Sequence, residues 1–442
     1  MLNQKLFWCV NMLEPLRLSE LEEKVLQKFI RRNKQNLQNI KDNVLEILEE
    51  VRKNGDKALI KYTKIYDGVK LSPNKLKVSE DEILQAYREV PKSLIKAIKE
   101  ASKNLKEVHE KQLPNEKILK KTEGVYVKEV FKPLESVGLY VPGGRVPYPS
   151  TVLMLGVPAK VAGVKKIVVC TPPGKDGKIN PAILVASDMV GVDEIYRVGG
   201  VQAIGALAYG TRTIPKVDKI VGPGNIYVTT AKTAVYGEVG IDFPAGPTEI
   251  MVFADETAKP NLVVVDLLSQ AEHDPLAVPI LVTTSEELAF KVREKILTSF
   301  RRRLTKKTIK QSIKKHAAIL IAKNEEEAIN FINKFAPEHL EIMTKNPEKI
   351  IPLINNVGSI SLGKYTPVAV VDYAVGISHV LPTGGAASFH SGLSVYDFLK
   401  VVHVQKLTKE GLQKMKNVVE VFSKIEGLDW HEKSVKERLK GR

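Results

Sequence analysis

From about Gly124 onward, short β-branched runs alternate with Ala-rich stretches of helical length. The runs are Val137–Val141, Lys166–Cys170, Glu194–Val198, Lys219–Val221, Ile250–Ala254, Ile280–Thr283 and Ala318–Ile321. Short strands, each followed by a helix-sized segment, imply βαβ units and parallel sheet. They lack the polar–apolar alternation of a half-wetted antiparallel meander, so helices are expected to cover both faces. Residues from about Ser19 to Lys132 read instead as mostly helical. Leu21, Val25 and Phe29, then Leu37, Ile40, Val44, Leu48 and Val51, recur at helical spacing. Gly55 closes the second run, Asp56 is placed to cap the next helix, and Lys103–Lys121 is charged enough to be exposed. From about Tyr396 the chain returns to helix rich in Lys and Glu. That tail is too thin in apolar residues to fold alone, so it is expected to pack on another domain or another subunit.

Three of the strand-like runs lead into glycine turns: Pro142-Gly143-Gly144-Arg145-Val146-Pro147, Gly199-Gly200-Val201-Gln202 and Val221-Gly222-Pro223-Gly224-Asn225. Glycine lets backbone N–H groups approach a ligand, and the carboxyl ends of parallel strands are where ligands bind in this class. The plain alternative for each is a tight connector. Ser150 is placed to cap the helix after the first turn. The third turn is not the dinucleotide fingerprint, because Tyr227 stands where G-x-G-x-x-G has its last glycine. Asp242 lies at the distance of a ribose-binding acid, a weak signal without that glycine.

Phe335-Ala336-Pro337-Glu338-His339-Leu340-Glu341 sets a carboxylate beside an imidazole, the two side chains best suited to moving protons near neutral pH. Pro337 opens or ends a helix, so Glu338 and His339 are expected at the rim of an element, within reach of a cleft. The plain reading is a helix N-terminal turn with Glu338 facing the dipole and His339 solvated. Ser269-Gln270-Ala271-Glu272-His273-Asp274-Pro275 ends a helix begun near Asn261, with Gln270 and His273 on one face. They fit a metal or a polar ligand, but for a lone pair of this type the plain reading prevails, a helix C-terminus with His273 favouring the dipole. Val371-Asp372-Tyr373 and His379-Val380-Leu381-Pro382-Thr383-Gly384-Gly385 add an acid, a histidine and a turn. Glu426 and His431 in the tail read as solvated surface by default.

Composition limits the chemistry. The 442 residues hold two cysteines, Cys9 and Cys170, so neither a disulfide framework nor a Cys-based zinc ribbon can form. Any metal must be held by His, Asp, Glu or Gln. The net charge of +16 fits an anionic ligand or nucleic acid. The basic residues are spread through helical segments, however, and the densest patch, Arg301-Arg302-Arg303 with Lys306-Lys307, has no interleaved aromatics. No nucleic-acid partner is expected. No apolar run approaches the roughly 20 residues of a membrane span, and Leu6–Leu13 is too short and poorly flanked for a signal peptide. A cytoplasmic protein is expected.

Taken in order, the fragments resemble the histidinol dehydrogenase family from roughly Ser19 to the C-terminus. The resemblance rests on YVPGGRVPYPST from Tyr140, GGVQAIGALAYG from Gly199, VGPGN from Val221 and DFPAGPTEI from Asp242. It continues in SQAEHDP from Ser269, FAPEHLE from Phe335, VDYAVGISHVLPTGGAA from Val371 and SGLSVYDF from Ser391. It implies an α/β fold of two incomplete Rossmann-like parallel-sheet domains, with an N-terminal helical region and a helical C-terminal tail. The expected division is 1–123, 124–247, 248–392 and 393–442. It also implies a zinc- and NAD-dependent oxidation of L-histidinol to L-histidine through the aldehyde. The implied zinc ligands, for one ion per subunit, are Gln270, His273, Asp372 and His431. The implied proton-transfer pair is Glu338 and His339. NAD contacts fall on Tyr140, Gln202 and Asn225. Substrate contacts fall on Thr248 and Glu426 together with the ligands and the acid–base pair. A homodimer is implied, with Glu426 and His431 reaching the partner's site. Thr248 stands where the family usually has Ser, which keeps the hydroxyl and adds a methyl. Met1 to about Asn11 have no counterpart in the pattern, which leaves Met12 as a second candidate start. The alternative activity is a related zinc/NAD dehydrogenase acting on another small amino or sulfonated alcohol. A carboxylate at Glu426 suits a cationic amine and favours histidinol.

Overall fold

Alternation of strand and helix winds the chain into two parallel sheets and one small antiparallel sheet. The computed structural model describes residues 13–31, 37–143, 146–244, 246–301 and 306–440. Cys9, the apolar start, Met12, Gly144, Arg145, Arg302 and Arg303 lie outside the described residues, as do the side chains of Val25, Leu37 and Arg301.

The five-stranded sheet holds β4 (Ser136–Tyr140), β5 (Lys166–Cys170), β6 (Glu194–Tyr196), β7 (Lys219–Val221) and β8 (Gly240–Ile241) in the order β6-β5-β4-β7-β8. Every neighbouring pair is parallel. The six-stranded sheet holds β1 (Leu16–Arg17), β9 (Glu249–Ala254), β10 (Val278–Thr283), β11 (Ala318–Ile321), β12 (His339–Met343) and β13 (Ser359–Leu362). Its order is β1-β11-β10-β9-β12-β13, again parallel throughout. β9 and β10 are buried along their whole length, as continuous apolar runs require.

Helices cover the faces. The Leu37–Asn54, Asp56–Tyr66 and Gly200–Tyr209 helices bury Val44, Leu48, Val51, Leu59 and Leu207 against one side of the five-stranded sheet. The Pro149–Ala162 and Pro181–Val190 helices close the other side with Leu153, Leu155, Ile183 and Val185. The expected caps differ in detail. Gly55 rather than Asp56 is the N-cap of its helix. Tyr148 rather than Ser150 is the N-cap of the Pro149–Ala162 helix, because Pro149 itself presets the first helical turn.

Two stretches read as helix are strand. The N-terminal helices end at Gln112, and β2 (Lys117–Thr122) and β3 (Val125–Pro133) follow as a hairpin. The helical tail runs over Lys409–Glu426 and Asp429–Leu439, but Leu399–Leu407 leading into it is β14, antiparallel to β3. β14 is exposed from Lys400 to Leu407, so it lacks the buried-face alternation that marks a strand in sequence.

Candidate active site

Glu338 and His339 reach the rim of an element by a sharp stop. The Glu325–Phe335 helix ends with Ala336 in the left-handed region, at φ 51°. Pro337 cannot continue a helix, and the chain turns extended. Pro337 and Glu338 carbonyls accept from Gly358 N–H at 3.0 Å and Ser359 N–H at 2.9 Å, and β12 begins at His339. A Cβ on Gly358 would lie 2.5 Å from the Glu338 carbonyl oxygen, so this pairing needs glycine. The element is a strand and both residues are buried, which corrects the helix-turn reading.

His339 pairs in register with Ile250, so Glu338 falls beside the amino end of β9. Glu338 Oε2 accepts from the Thr248 hydroxyl at 2.6 Å and from the Glu249 N–H at 2.7 Å. Gln270 Nε2 donates to the same Thr248 hydroxyl. Gln270 is buried in the last turn of the Pro260–Ala271 helix, which returns from the carboxyl to the amino edge of the sheet. His273 lies two residues past that helix, its N–H donating to the Gln270 carbonyl at 3.3 Å. The pair is thus joined by a turn and not by one helix face. Asp372 is buried in the Val368–Tyr373 helix, and its Oδ1 has no hydrogen-bond partner.

His379 joins this group, and no role was read for it in the sequence. Its Nδ1 meets the Asp372 carbonyl at 3.0 Å and its Nε2 meets the Thr151 hydroxyl at 3.4 Å. Thr151 sits in the first turn of the helix after β4, so His379 links the acid–base corner to the five-stranded sheet. A histidine seven residues beyond an aspartate carries no local signal. Only the fold brings it in.

Burial sets the charges here. It pushes the Glu338 carboxyl well above its usual range, against the two hydrogen bonds that favour its charged form, and nearby Glu249 and Asp372 add to the rise. It pushes Asp372 up to about 7. Burial drives the His339 imidazole down to about 3, with His379 and His273 repelling its charged form. His379 falls to about 4 for the same first reason. His273 is exposed, yet the atoms around its ring displace enough water to lower it too. His339 Nε2 and Glu338 Oε1 are 3.9 Å apart, too far for a direct hydrogen bond. The corner therefore sets neutral imidazoles able to take protons beside a carboxyl whose charge depends on what offsets its burial.

Among the described residues no three His, Cys, Asp or Glu side chains are grouped to hold a metal. Gln270 reaches Glu338 through Thr248, while Asp372 and His273 lie near enough for their charges to act on Glu338 and His339 respectively. His431 and Glu426 do not join them within one chain. Both are exposed on the tail helices, which pack on each other and on β14.

The residues expected to hold a dinucleotide lie at the carboxyl edge of the five-stranded sheet. Tyr140 closes β4, and its buried hydroxyl accepts from Gly200 N–H at 3.1 Å. Gln202 is buried in the first turn after β6. Asn225 caps the Ile226–Val235 helix, accepting from Tyr227 and Val228 N–H at 3.0 and 3.2 Å. All three glycine turns follow strands of this one sheet, at its carboxyl ends. The acid–base pair, by contrast, lies at the amino edge of the other sheet. Asp242 is not a ribose acid. It accepts from Gly222 N–H at 2.8 Å and pairs with buried Lys232.

Two parallel sheets, with a glycine-rich edge on one and a buried acid–base corner on the other, define an α/β protein with two separate polar sites. The family model for histidinol dehydrogenase matches residues 30–439. Histidinol dehydrogenase of Methanocaldococcus jannaschii is 50% identical over 425 residues, 96% of this chain and 98% of that protein. That of Methanococcus maripaludis is 50% identical over 427 residues, 96% and 99% of the two chains. The crystal structure of histidinol dehydrogenase from Elizabethkingia anophelis superposes with a TM-score of 0.89 at 40% identity, covering 95% of this chain and 96% of that one. The chain belongs to the histidinol dehydrogenase family.

Proposed function

We propose that this chain oxidises L-histidinol to L-histidine with NAD, through the aldehyde, as the last step of histidine biosynthesis. The observation that carries the reading is the hydrogen-bonded chain Gln270–Thr248–Glu338 beside His339, in a family member whose relatives are histidinol dehydrogenases.

Zinc is held, in this reading, by Gln270, His273 and Asp372 with His431 of a second copy. The donor set fits the ion: a neutral imidazole, a buried carboxylate oxygen with no partner, and an amide whose nitrogen is engaged by Thr248 so that its oxygen is the ligand atom. The reading includes a homodimer. Phe422, Ile425 and Trp430 on the tail are 59%, 77% and 78% exposed, apolar side chains that a second copy of this chain would cover. His431 and Glu426 travel with that face into the partner's site.

When bound, zinc would supply a fixed positive charge to orient the substrate, and NAD would supply the hydride acceptor. The chain's own residues do the rest. His339, held neutral by burial, takes the hydroxyl proton as the first hydride leaves. Glu338, aimed by Thr248 and the Glu249 N–H, activates the water that attacks the aldehyde. His339 then serves as base for the second oxidation. Glu426 offers a carboxylate to the substrate's ammonium. Tyr140, Gln202 and Asn225 hold the dinucleotide. One site hosts both oxidations, so the aldehyde stays in place. We place the enzyme in the cytoplasm, where a free thiol such as buried Cys170 persists. Among the described residues no helix is long and apolar enough to cross a membrane.

Exhaustive chelation followed by an L-histidinol and NAD assay tests the reading. Activity is expected to vanish and to return with Zn²⁺. Full activity with no metal detectable would remove the ligand assignment.

A further inference from the structure

The carboxyl edge of the five-stranded sheet carries more polar capacity than its own chain uses. Among the described residues, both amide atoms of Gln202 and the hydroxyl of Thr171, just past β5, are buried without hydrogen-bond partners. Gln202 folds back over its turn, so that a Cβ on Gly200 would lie 2.9 Å from its Oε1. Buried amides and hydroxyls are rarely left unpaired. Their gathering on one sheet edge fits a polar ligand, and the ribose and phosphates of a dinucleotide supply both donors and acceptors.

A fourth atom belongs to a different part of the fold. Asp67 ends the Asp56–Tyr66 helix, its N–H donating to the Thr63 carbonyl at 2.9 Å, and Gly68 at φ 73° turns the chain away. The Asp67 carboxylate lies close enough to Tyr140 to oppose ionisation of its phenol. Beyond it, Val69 and Leu71 run along the loop after β5, facing Gly177. Among the described residues, Asp67 Oδ2 is buried and has no hydrogen-bond partner. Burial alone raises this carboxyl, to about 6, with no cation to offset it. Asp242, the acid at the customary spacing, is committed to Gly222 and Lys232. Asp67 has the capacity that Asp242 lacks.

We propose that Asp67 is a specificity-determining residue of the dinucleotide site, accepting the paired hydroxyls of the adenosine ribose and excluding a cofactor with a 2′-phosphate. A carboxylate only accepts hydrogen bonds, so it suits two hydroxyl donors. A 2′-phosphate replaces a donor with like charge. The inference rests on the NAD reading above.

The test measures dissociation constants of NAD and NADP for the full-length dimer, by titration without substrate, in wild type, Asp67→Ala and Asp67→Asn. Melting curves accompany each variant. Asp67→Ala is expected to weaken NAD by about 10–100-fold, the scale of a hydrogen bond to a charged group, while NADP is unchanged or tighter. Asp67→Asn keeps an acceptor without the charge, so it should retain more NAD affinity and gain NADP affinity. If Asp67→Ala fails to fold, the isosteric Asp67→Asn decides. An unchanged NAD-to-NADP ratio in the folded variants overturns the proposal, including the case where both cofactors weaken equally through a structural defect. A wild-type protein that binds neither dinucleotide overturns the NAD reading, and this assignment with it.

Discussion

Thr248 donates its hydroxyl proton to Glu338 at 2.6 Å while accepting from Gln270. One hydroxyl thereby couples the last turn of the helix bearing Gln270 to the chain that enters β12 with the acid–base pair. Both partners are buried. Without the hydroxyl, the carboxylate keeps the Glu249 N–H but loses its second donor.

Thr248→Val should therefore lower kcat/KM by about 10–100-fold, the 1–3 kcal/mol of an unmet buried hydrogen bond. Thr248→Ser keeps the hydroxyl and should stay within a few-fold of wild type. Steady-state kinetics on both decide. A loss in Thr248→Ser as large as in Thr248→Val would contradict a role carried by the hydroxyl.

His339→Asn should retain zinc and bind L-histidinol while kcat falls about 10²–10⁴-fold, the scale of a general base. Metal analysis and substrate titration separate this from unfolding. Turnover near the wild-type rate would remove His339 from the proton-transfer role.

Glu341, two residues along β12, accepts from Val368 N–H at 2.8 Å and touches Asp266. Burial first, then the charge of Asp266, raises its carboxyl to about 8. A carboxyl raised in the fold stabilises fully below its unfolded pKa of about 4.5, and that contribution is lost as pH climbs through the folded value. Stability should thus fall between about pH 4.5 and 8, at no more than about 1.4 kcal/mol per pH unit from this group. Glu341→Gln should flatten the decline. Denaturant unfolding of both proteins across that range checks it, and parallel curves would contradict the assignment.

Lys232 and Asp242 are buried together, with Lys232 Nζ also donating to the Gly222 carbonyl at 2.9 Å. Lys232→Met leaves a lone buried carboxylate and should cost about 3–5 kcal/mol. Because Gly222 leads into Asn225, NAD affinity should fall as well. Thermal unfolding shifted by less than a degree would show that the pair carries no such weight.

The sheet strands were legible because β-branched runs bounded by turns leave few alternatives, and all seven runs recur within two residues of their expected ends. β14 was not legible, because its side chains from Lys400 to Leu407 face water and show no buried alternation. Glu338 and His339 stood out through Pro337, whose effect on the backbone is local. His379 and Asp67 could not, since each gains its meaning from a residue far off in the chain, Thr151 in one case and Tyr140 in the other. Asp242 misled for the opposite reason. Its spacing was right, but Lys232 one helix away had already engaged it.

The tail sets a further expectation. Mixing a His431→Ala chain with a Glu338→Gln chain should restore part of the activity, because some hybrid sites then carry neither lesion. No recovery after subunit exchange would mean that each tail serves its own subunit.

The most direct measurement counts NADH formed per L-histidinol consumed. A single site in which His339 acts twice and Glu338 activates water between the two steps yields two NADH, with L-histidine as product. One NADH, with free aldehyde accumulating, would contradict the account.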